Sequence, residues 1–456
     1  MAPNNRGRQL MGKAQAKRQK LLAEPPFTVR IEDLSHEGRG VGRREGKAVF
    51  VEGALPGEEV RCVYTARRGR HDEARTIEVL QAAPERVEPR CAHFEICGGC
   101  ALQHLDPTAQ LALKQRGLLD SLTHIGKVQP ERVLEPMTGP LWSYRRRARL
   151  GVKWVAKKGR VLVGFRERHS AFLADLHRCE VLDERVGGLL EALAQLIEAL
   201  SIRDRIPQIE VAGGDEVMGL NFRVLAPPSA TDLVQLQAFG DRHGLALYLQ
   251  SGGPDSVRPL RAEPLELSYR LPDFDLNLEF QPWHFIQINA VINRQLVERA
   301  GQLLEIGPED RVLDLFCGLG NFTLALARRA REVVGVEGDA SLVEWAKRNA
   351  ARNGIANAAF YAADLTGDLS AQSWTAGGYD QVLLDPPRSG ALELMPQIAA
   401  WGVQRVGYVS CHPATLARDV GELVHRFGYR LLGAGVLDMF PHTAHVESVA
   451  VLQRQR

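Results

Sequence analysis

No run of 18 apolar residues occurs in this chain, so nothing in it reads as a membrane-spanning helix. No apolar core follows its basic amino end (Arg6, Arg8, Lys13, Lys17, Arg18, Lys20), which argues against a secretory signal and for a cytoplasmic protein. The cysteines number seven, at positions 62, 91, 97, 100, 179, 317 and 411. An odd count without a secretion signal argues against a disulfide framework. The thirteen histidines show no paired H-E-x-x-H spacing, and no internal repeat or long low-complexity tract is present. What remains is ordinary for a globular protein: 45% hydrophobic and 25% charged residues, in 456 residues that suffice for roughly two or three domains.

The net charge of +2 hides an uneven distribution. The first 23 residues carry six basic groups and no acid. Residues 139–170 carry ten Lys or Arg against Glu167, with Trp142, Tyr144, Trp154 and Phe165 interleaved. Cations suit a polyphosphate and aromatics suit unpaired bases, so this stretch is expected to contact RNA.

Four regions are expected. Residues 1–22 form a basic flexible tail, ended by Glu24-Pro25-Pro26. Residues 23–84 read as short strands (Phe27–Ile31, Ala48–Val51, Glu59–Tyr64, Thr76–Leu80), with the glycine-rich 38–42 and Leu55–Glu58 as turns, which suggests a small β-barrel. The wording "EGRGVGR…VFVEGALPGEEV" resembles the TRAM domain, an OB-like RNA-binding module. Residues 85–280 form a central α+β domain with helical pattern near 107–125 and 184–200, and with several strands and irregular connections over 206–280. Its helical segment at about 103–135 is expected to pack on the last region. That region, 281–456, alternates strands (311–316, 332–337, 380–385, 405–409, 446–452) with helices (321–329, 340–352), which implies an α/β Rossmann-like domain with a parallel sheet.

A nucleoside site is legible there. Asp314-Leu-Phe-Cys-Gly318-Leu-Gly320-Asn321 follows the first strand, where glycines let the backbone approach a ligand. The dinucleotide form G-x-G-x-x-G is broken by Thr323. Glu337 ends the second strand, where an acid can accept both ribose hydroxyls, and Asp364 follows the next, where it can receive an adenine amine. Together these favour S-adenosylmethionine over NAD.

Cys411 lies in Ser410-Cys411-His412-Pro413 after a short apolar strand, a position suited to covalent catalysis. Glu447 is a carboxylate inside the apolar strand His445–Leu452, where it is costly unless partnered. The motifs "DLFCGLGNF", "DPPRSG", "SCHPATLARD" and "DMFPHTAHVES" resemble the RNA uracil-C5 methyltransferases. With the TRAM-like barrel and four cysteines, the resemblance is to the 23S ribosomal-RNA branch that bears an iron–sulfur cluster, and the barrel favours uracil 1939.

The resemblance implies a nucleophile, Cys411, that adds to carbon 6 of uracil and makes carbon 5 nucleophilic towards the donor methyl. It implies a base, Glu447, that removes the carbon-5 proton so the thiolate can leave. It implies Gln287, Phe316, Asn321 and Asp385 at the donor and base sites, beside Glu337 and Asp364. Cytosine-directed relatives place a cysteine after the second proline of the loop, where this chain has Arg388. The family more often has Asn or Asp where this chain has His412.

Cys91, Cys97, Cys100 and the remote Cys179 supply four thiolates, a set that zinc or an iron–sulfur cluster would accept. Five residues between the first two cysteines exclude the radical-SAM spacing. The resemblance implies [4Fe-4S], in a structural or RNA-positioning role, since methyl transfer needs no electron. Cys62 and Cys317 read as core or loop positions. The expectation is a monomeric enzyme acting on 23S ribosomal RNA. Two alternatives stay open: a transfer-RNA uracil-C5 methyltransferase, and a non-catalytic RNA-binding assembly factor.

Overall fold

The computed structural model describes residues 24–455, so the basic tail expected at 1–22 lies outside the described residues. The chain divides into two compact units, residues 24–110 with His442–Ala444, and Leu111–Pro441 with the remaining carboxyl-terminal residues.

The first unit holds a closed five-stranded barrel of β1 (Phe27–Leu34), β2 (Gly40–Arg44), β3 (Lys47–Glu52), β4 (Glu59–Arg67) and β5 (His71–Gln81), in the order β1-β2-β3-β5-β4. Alternation of inward apolar residues places Val29, Ile31, Val49, Val51 and Val60 in its core. The sequence expectation of a turn at 38–42 is wrong for its second half, which is β2. Gly40 and Gly42 face inward, and a Cβ on Gly42 would lie 2.5 Å from the Arg30 carbonyl, so only glycine lets the strands close so tight a barrel. Cys62 lies wholly in this core.

The second unit begins within α1 (Pro107–Ser121), which continues into a π-turn at Leu122–Gly126. The short β6 (Arg132–Val133) follows, then β7 (Arg147–Val155), β8 (Arg160–Gly164), α2 (Glu184–Gly187), α3 (Leu190–Ala199), β9 (Gln208–Gly213), β10 (Met218–Arg223), α4 (Ala230–His243), β11 (Leu245–Gln250) and β12 (Val257–Pro259). Strands β12-β11-β10-β9-β7-β8 form one sheet. The helix α4 replaces part of what read as strands and irregular connections. Its start is set by a capping box in which Ser229 and Asp232 satisfy each other's backbone N–H.

Two side chains of the basic stretch are buried. Arg146 is buried at 4% exposure and Tyr144 at 5%, its hydroxyl bonded to the Pro441 carbonyl. Neither side chain lies on an open basic face; both belong to the packing around β7.

The hairpin β13 (Ser268–Leu271) and β14 (Leu276–Glu279) leads to α5 (Ala290–Leu304) and then β15 (Arg311–Leu315), α6 (Thr323–Ala327), β16 (Glu332–Glu337), α7 (Ala340–Arg352), β17 (Ala358–Ala362), β18 (Gln381–Leu384), α8 (Met395–Ala400), β19 (Arg405–Ser410), α9 (Pro413–Phe427), β20 (Tyr429–Leu437) and β21 (Glu447–Arg454). The main sheet runs β17-β16-β15-β18-β19-β21-β20-β6. Strands β15 to β19 are parallel and β21 is antiparallel to both its neighbours. Strand order reverses at β15, whose neighbours are β16 and β18. Ligands of open α/β sheets bind at such a switch point, beyond the carboxyl ends of the strands. Leu118 and Leu122 pack with Leu416, Ala417 and Val420 of α9 in one core, so the helical segment after residue 111 lies against this sheet's helix layer.

Candidate active site

The residues singled out in the sequence follow successive strands at one edge of the main sheet. Phe316–Asn321 follow β15, Glu337 ends β16, Asp364 lies just after β17, Asp385 follows β18 and Cys411 follows β19. Phe316 turns the chain out of β15 with φ of 66°, a backbone state that non-glycine residues rarely adopt. Glu337 ties the loop down: its two carboxylate oxygens accept the Gly318 and Asp339 amides at 3.1 Å each. A carboxylate has about four acceptor positions, so capacity remains for ribose hydroxyls. Asp364 is exposed and accepts the Thr366 amide and hydroxyl at 2.9 and 2.7 Å, which hold its carboxyl below the usual range.

Asn321 sits in an internal network. Its Oδ1 accepts the Tyr269 hydroxyl and the Asn293 amide, and its Nδ2 donates to Asn293, all at 3.0 Å. Buried Ile286 and Ile288 alternate with exposed Phe285 and half-buried Gln287, whose Nε2 donates to Asp385 Oδ2 at 3.3 Å. Asp314 is fully buried, accepts the Thr323 hydroxyl at 2.5 Å, and is pushed up to about 7, by burial above all. Cys317 is buried beside it, and its thiol is pushed up by burial first.

Cys411 and Glu447 meet through strand register. Ser410 of β19 pairs with Ser448 of β21, and the Ser448 hydroxyl donates to the Ser410 carbonyl at 3.1 Å. Cys411 directly follows Ser410 and Glu447 directly precedes Ser448, so the pairing brings both to the same end of the β19–β21 ladder. Glu447 is 5% exposed and its carboxyl is pushed up to about 8, first by burial and then by the Asp385 charge, against the pull of Arg388. Asp385 is pushed up to about 7 by burial. The Cys411 thiol, half-buried, is raised by burial and by the Glu447 charge. Arg388 opposes this with its positive charge. Three acidic groups and one guanidinium therefore share a desolvated site that can hold a thiolate, or take up one proton on a carboxylate.

The supporting roles of Arg388, Asp419, Gly390 and His412 escaped the sequence reading. Arg388 appeared there only as the absence of a second nucleophile. Asp419, wholly buried on α9, accepts the Ala391 amide at 2.7 Å and the Tyr408 hydroxyl at 2.6 Å, so it anchors the 385–390 loop to both α9 and β19. Gly390 in that loop has φ of 79°, and a Cβ there would lie 2.5 Å from Asp419 Oδ2. The signal was an acid on the buried face of an amphipathic helix. His412 is the N-cap of α9, its ring nitrogen accepting the Thr415 amide at 3.4 Å. Asn and Asp are strong N-caps, so the residue types share one task at this position.

Among the described residues, no group of three or more His, Cys, Asp and Glu is gathered so as to hold a metal ion. In the 91–103 loop the Gly99 amide points at Cys97 Sγ at 3.4 Å, and Gln103 accepts the Cys91 amide at 3.1 Å.

Over 441 residues the chain is 58% identical to the 23S rRNA (uracil(1939)-C(5))-methyltransferase RlmD of Alkalilimnicola ehrlichii, covering 96% of this chain and 99% of that protein. The chain belongs to the RNA uracil-C5 methyltransferase family. The family profile described as tRNA (Uracil-5-)-methyltransferase matches residues 259–455, and the TRAM domain profile matches residues 27–63. RlmD of Methylococcus capsulatus is 53% identical over 439 residues, 96% of this chain and 99% of that one. A crystal structure of Pyrococcus abyssi tRNA (uracil-54, C5)-methyltransferase in complex with S-adenosyl-L-homocysteine shares the fold, with a TM-score of 0.70, 24% identity, and coverage of 93% of this chain and 100% of that chain. Family membership makes the α/β region a class I S-adenosylmethionine-dependent methyltransferase domain. No helix among the described residues is long and apolar enough to cross a membrane.

Proposed function

We propose that this protein methylates carbon 5 of a uracil in 23S ribosomal RNA, at the position, 1939, that its relatives' names give. The reading rests on the β19–β21 pairing, which brings Cys411 and Glu447 to one end of the ladder, with the Arg388 charge acting on the sulfur. S-adenosylmethionine, when bound, supplies the methyl group from its sulfonium. Phe316, Asn321 and Glu337 would hold that donor, with Asp364 at its adenine.

Cys411 adds as thiolate to carbon 6 of the uracil, and Arg388 stabilises the anionic sulfur before attack. Gln287 and Asp385 hold the polar edge of a flipped base, because a stacked one could not reach the thiol. Carbon 5, made electron-rich, takes the methyl group. Glu447 then accepts the carbon-5 proton, the carbon–sulfur bond breaks, and the thiolate is restored.

Residues 23–84 would dock RNA, 85–280 would shape the target loop, and 281–456 would carry the chemistry, in a cytoplasmic monomer. Cys91, Cys97, Cys100 and Cys179 would hold a [4Fe-4S] cluster as a structural element. Their soft donors suit it, and the amide aimed at Cys97 Sγ is the kind of contact that supports cluster thiolates.

RNA containing 5-fluorouracil at the target should form a covalent adduct with the wild-type protein and none with Cys411→Ala. If neither protein forms the adduct while both bind RNA, the catalytic reading is wrong. 5-Methyluridine lost from tRNA rather than from 23S RNA in cells lacking the gene would move the target to tRNA.

A further inference from the structure

We propose that Arg146 and Asn289, at the amino end of α5, form a pocket for one phosphodiester of the RNA strand that delivers the target base. The inference rests on the RNA-methylating reading above and names a contact by which that site holds its substrate.

The pocket is built around a buried cation. Arg146 Nε donates to the Gln287 carbonyl at 2.9 Å, and the Tyr269 ring lies 4.7 Å from the guanidinium carbon. That arrangement leaves Nη1 and Nη2, both buried, without a hydrogen-bond partner. Asp215 Oδ1 stands 3.7 Å from Nη1, within ion-pair range and beyond a hydrogen bond. Asn289 is 1% exposed; its Oδ1 caps α5 by accepting the Ile292 amide at 3.3 Å, and its Nδ2 has no partner.

Both residues line a cavity of about 320 Å³ that also receives Arg185, Arg294, Asp183 and Asp215. Arg185 is bonded to both Asp183 oxygens at 2.8 and 2.7 Å, and Arg294 to Asp215 Oδ2 at 2.8 Å. Three guanidinium groups against two carboxylates leave one positive charge in excess. The helix dipole of the fifteen-residue α5 adds to it. The unpartnered groups are all donors, so the ligand is an anion with several acceptor oxygens.

The pocket adjoins the reaction. The cation that would hold the phosphate also fixes the backbone of Gln287, whose side chain meets Asp385. A phosphate bound here would place the neighbouring nucleotide against the base-reading residues. Arg294 and Arg185 retain side-chain exposures of 35% and 37%, so the cavity reaches the surface where an RNA backbone can enter.

The test uses the full-length protein with an RNA oligonucleotide carrying the target uracil. Asn289→Asp keeps the helix cap but turns the free donor into a charge that occupies Arg146. It should bind RNA about tenfold more weakly or worse. The slope of log affinity against log salt should fall by about 0.7, one phosphate contact fewer, while affinity for S-adenosylmethionine stays the same. Arg146→Gln should do likewise.

Neutralising linkages one at a time as methylphosphonates should find one whose loss weakens wild type and has no further effect on Asn289→Asp. Unchanged RNA affinity and salt slope in both variants would overturn the proposal, leaving a pocket that holds only water. A lowered donor affinity with normal RNA binding would overturn it in favour of a carboxylate site. Competition by inorganic phosphate with no sensitive linkage would overturn it in favour of a free anion. Covalent trapping by the wild-type protein separates these failures from failure of the methylation reading.

Discussion

Replacing Glu447 by glutamine should alter both turnover and the pH dependence of stability, and the second effect can be worked from the structure. The Glu447 carboxyl is buried and pushed from an ordinary value of 4.5 up to about 8. In the unfolded chain it ionises near the ordinary value. Between these two, folding must take up a proton, so stability is full below pH 4.5 and is lost as pH rises through about 8. At about 1.4 kcal/mol for each pH unit, the loss reaches roughly 5 kcal/mol as an upper bound. Glutamine mimics the neutral acid and does not titrate. Glu447→Gln should therefore match wild type near pH 4.5 and exceed it in stability by a few kcal/mol at pH 9.

The same residue must be ionised to take the carbon-5 proton. In the wild-type protein kcat/KM should climb about tenfold between pH 7 and 9, as the carboxylate fraction rises from about a tenth to about nine tenths. Cys411 and Glu447 share one field, so the limb belongs to the pair. In Glu447→Gln, turnover should fall about 10²- to 10⁴-fold. The methylated covalent adduct should accumulate, because elimination has no base. Denaturant titrations across pH 5–9 and denaturing gels of the trapped complex measure both. A stability difference that stays flat over that range would refute the burial argument, and rapid turnover by the variant would exclude Glu447 as the base.

Arg388→Gln removes the cation that opposes burial at Cys411, so the thiol should rise further and alkylation by iodoacetamide at neutral pH should slow, about tenfold for each pKa unit gained; an unchanged pH profile of alkylation would dismiss the pairing. Arg388→Lys should restore part of the rate. For the four cysteines, anaerobic purification should yield iron and sulfide in the proportion of a [4Fe-4S] centre, and stoichiometric zinc would displace that assignment.

Local patterning carried much of this protein into view. The expected bounds 332–337 and 340–352 coincide with β16 and α7, since a continuous apolar run and an amphipathic period with Asp339 as cap need no distant partner to be read. The short motifs likewise contain their own turns, so the residues after β15, β18 and β19 could be named before their places were known. Local reading failed where a distant contact decided the outcome. Gly40 and Gly42 looked like a turn because nothing nearby shows that barrel closure demands their missing side chains. Arg146 read as one cation of a basic stretch expected to contact RNA, and nothing nearby in the sequence shows that it is buried at 4% exposure.

By itself the sequence determined the residue types the chemistry requires: a thiol after one strand, acids after others, glycines where a backbone must yield to a ligand. Tertiary structure alone decided which of them meet. Cys411 and Glu447 lie in separate motifs, and an antiparallel pairing of β19 with β21 brings them to the same end of that ladder. Burial is likewise a property of the assembled fold. It makes Glu447 hold its proton and leaves Arg146 with donors to spare, because the energy of a charge depends on the medium around it, and that medium exists only once the chain has folded.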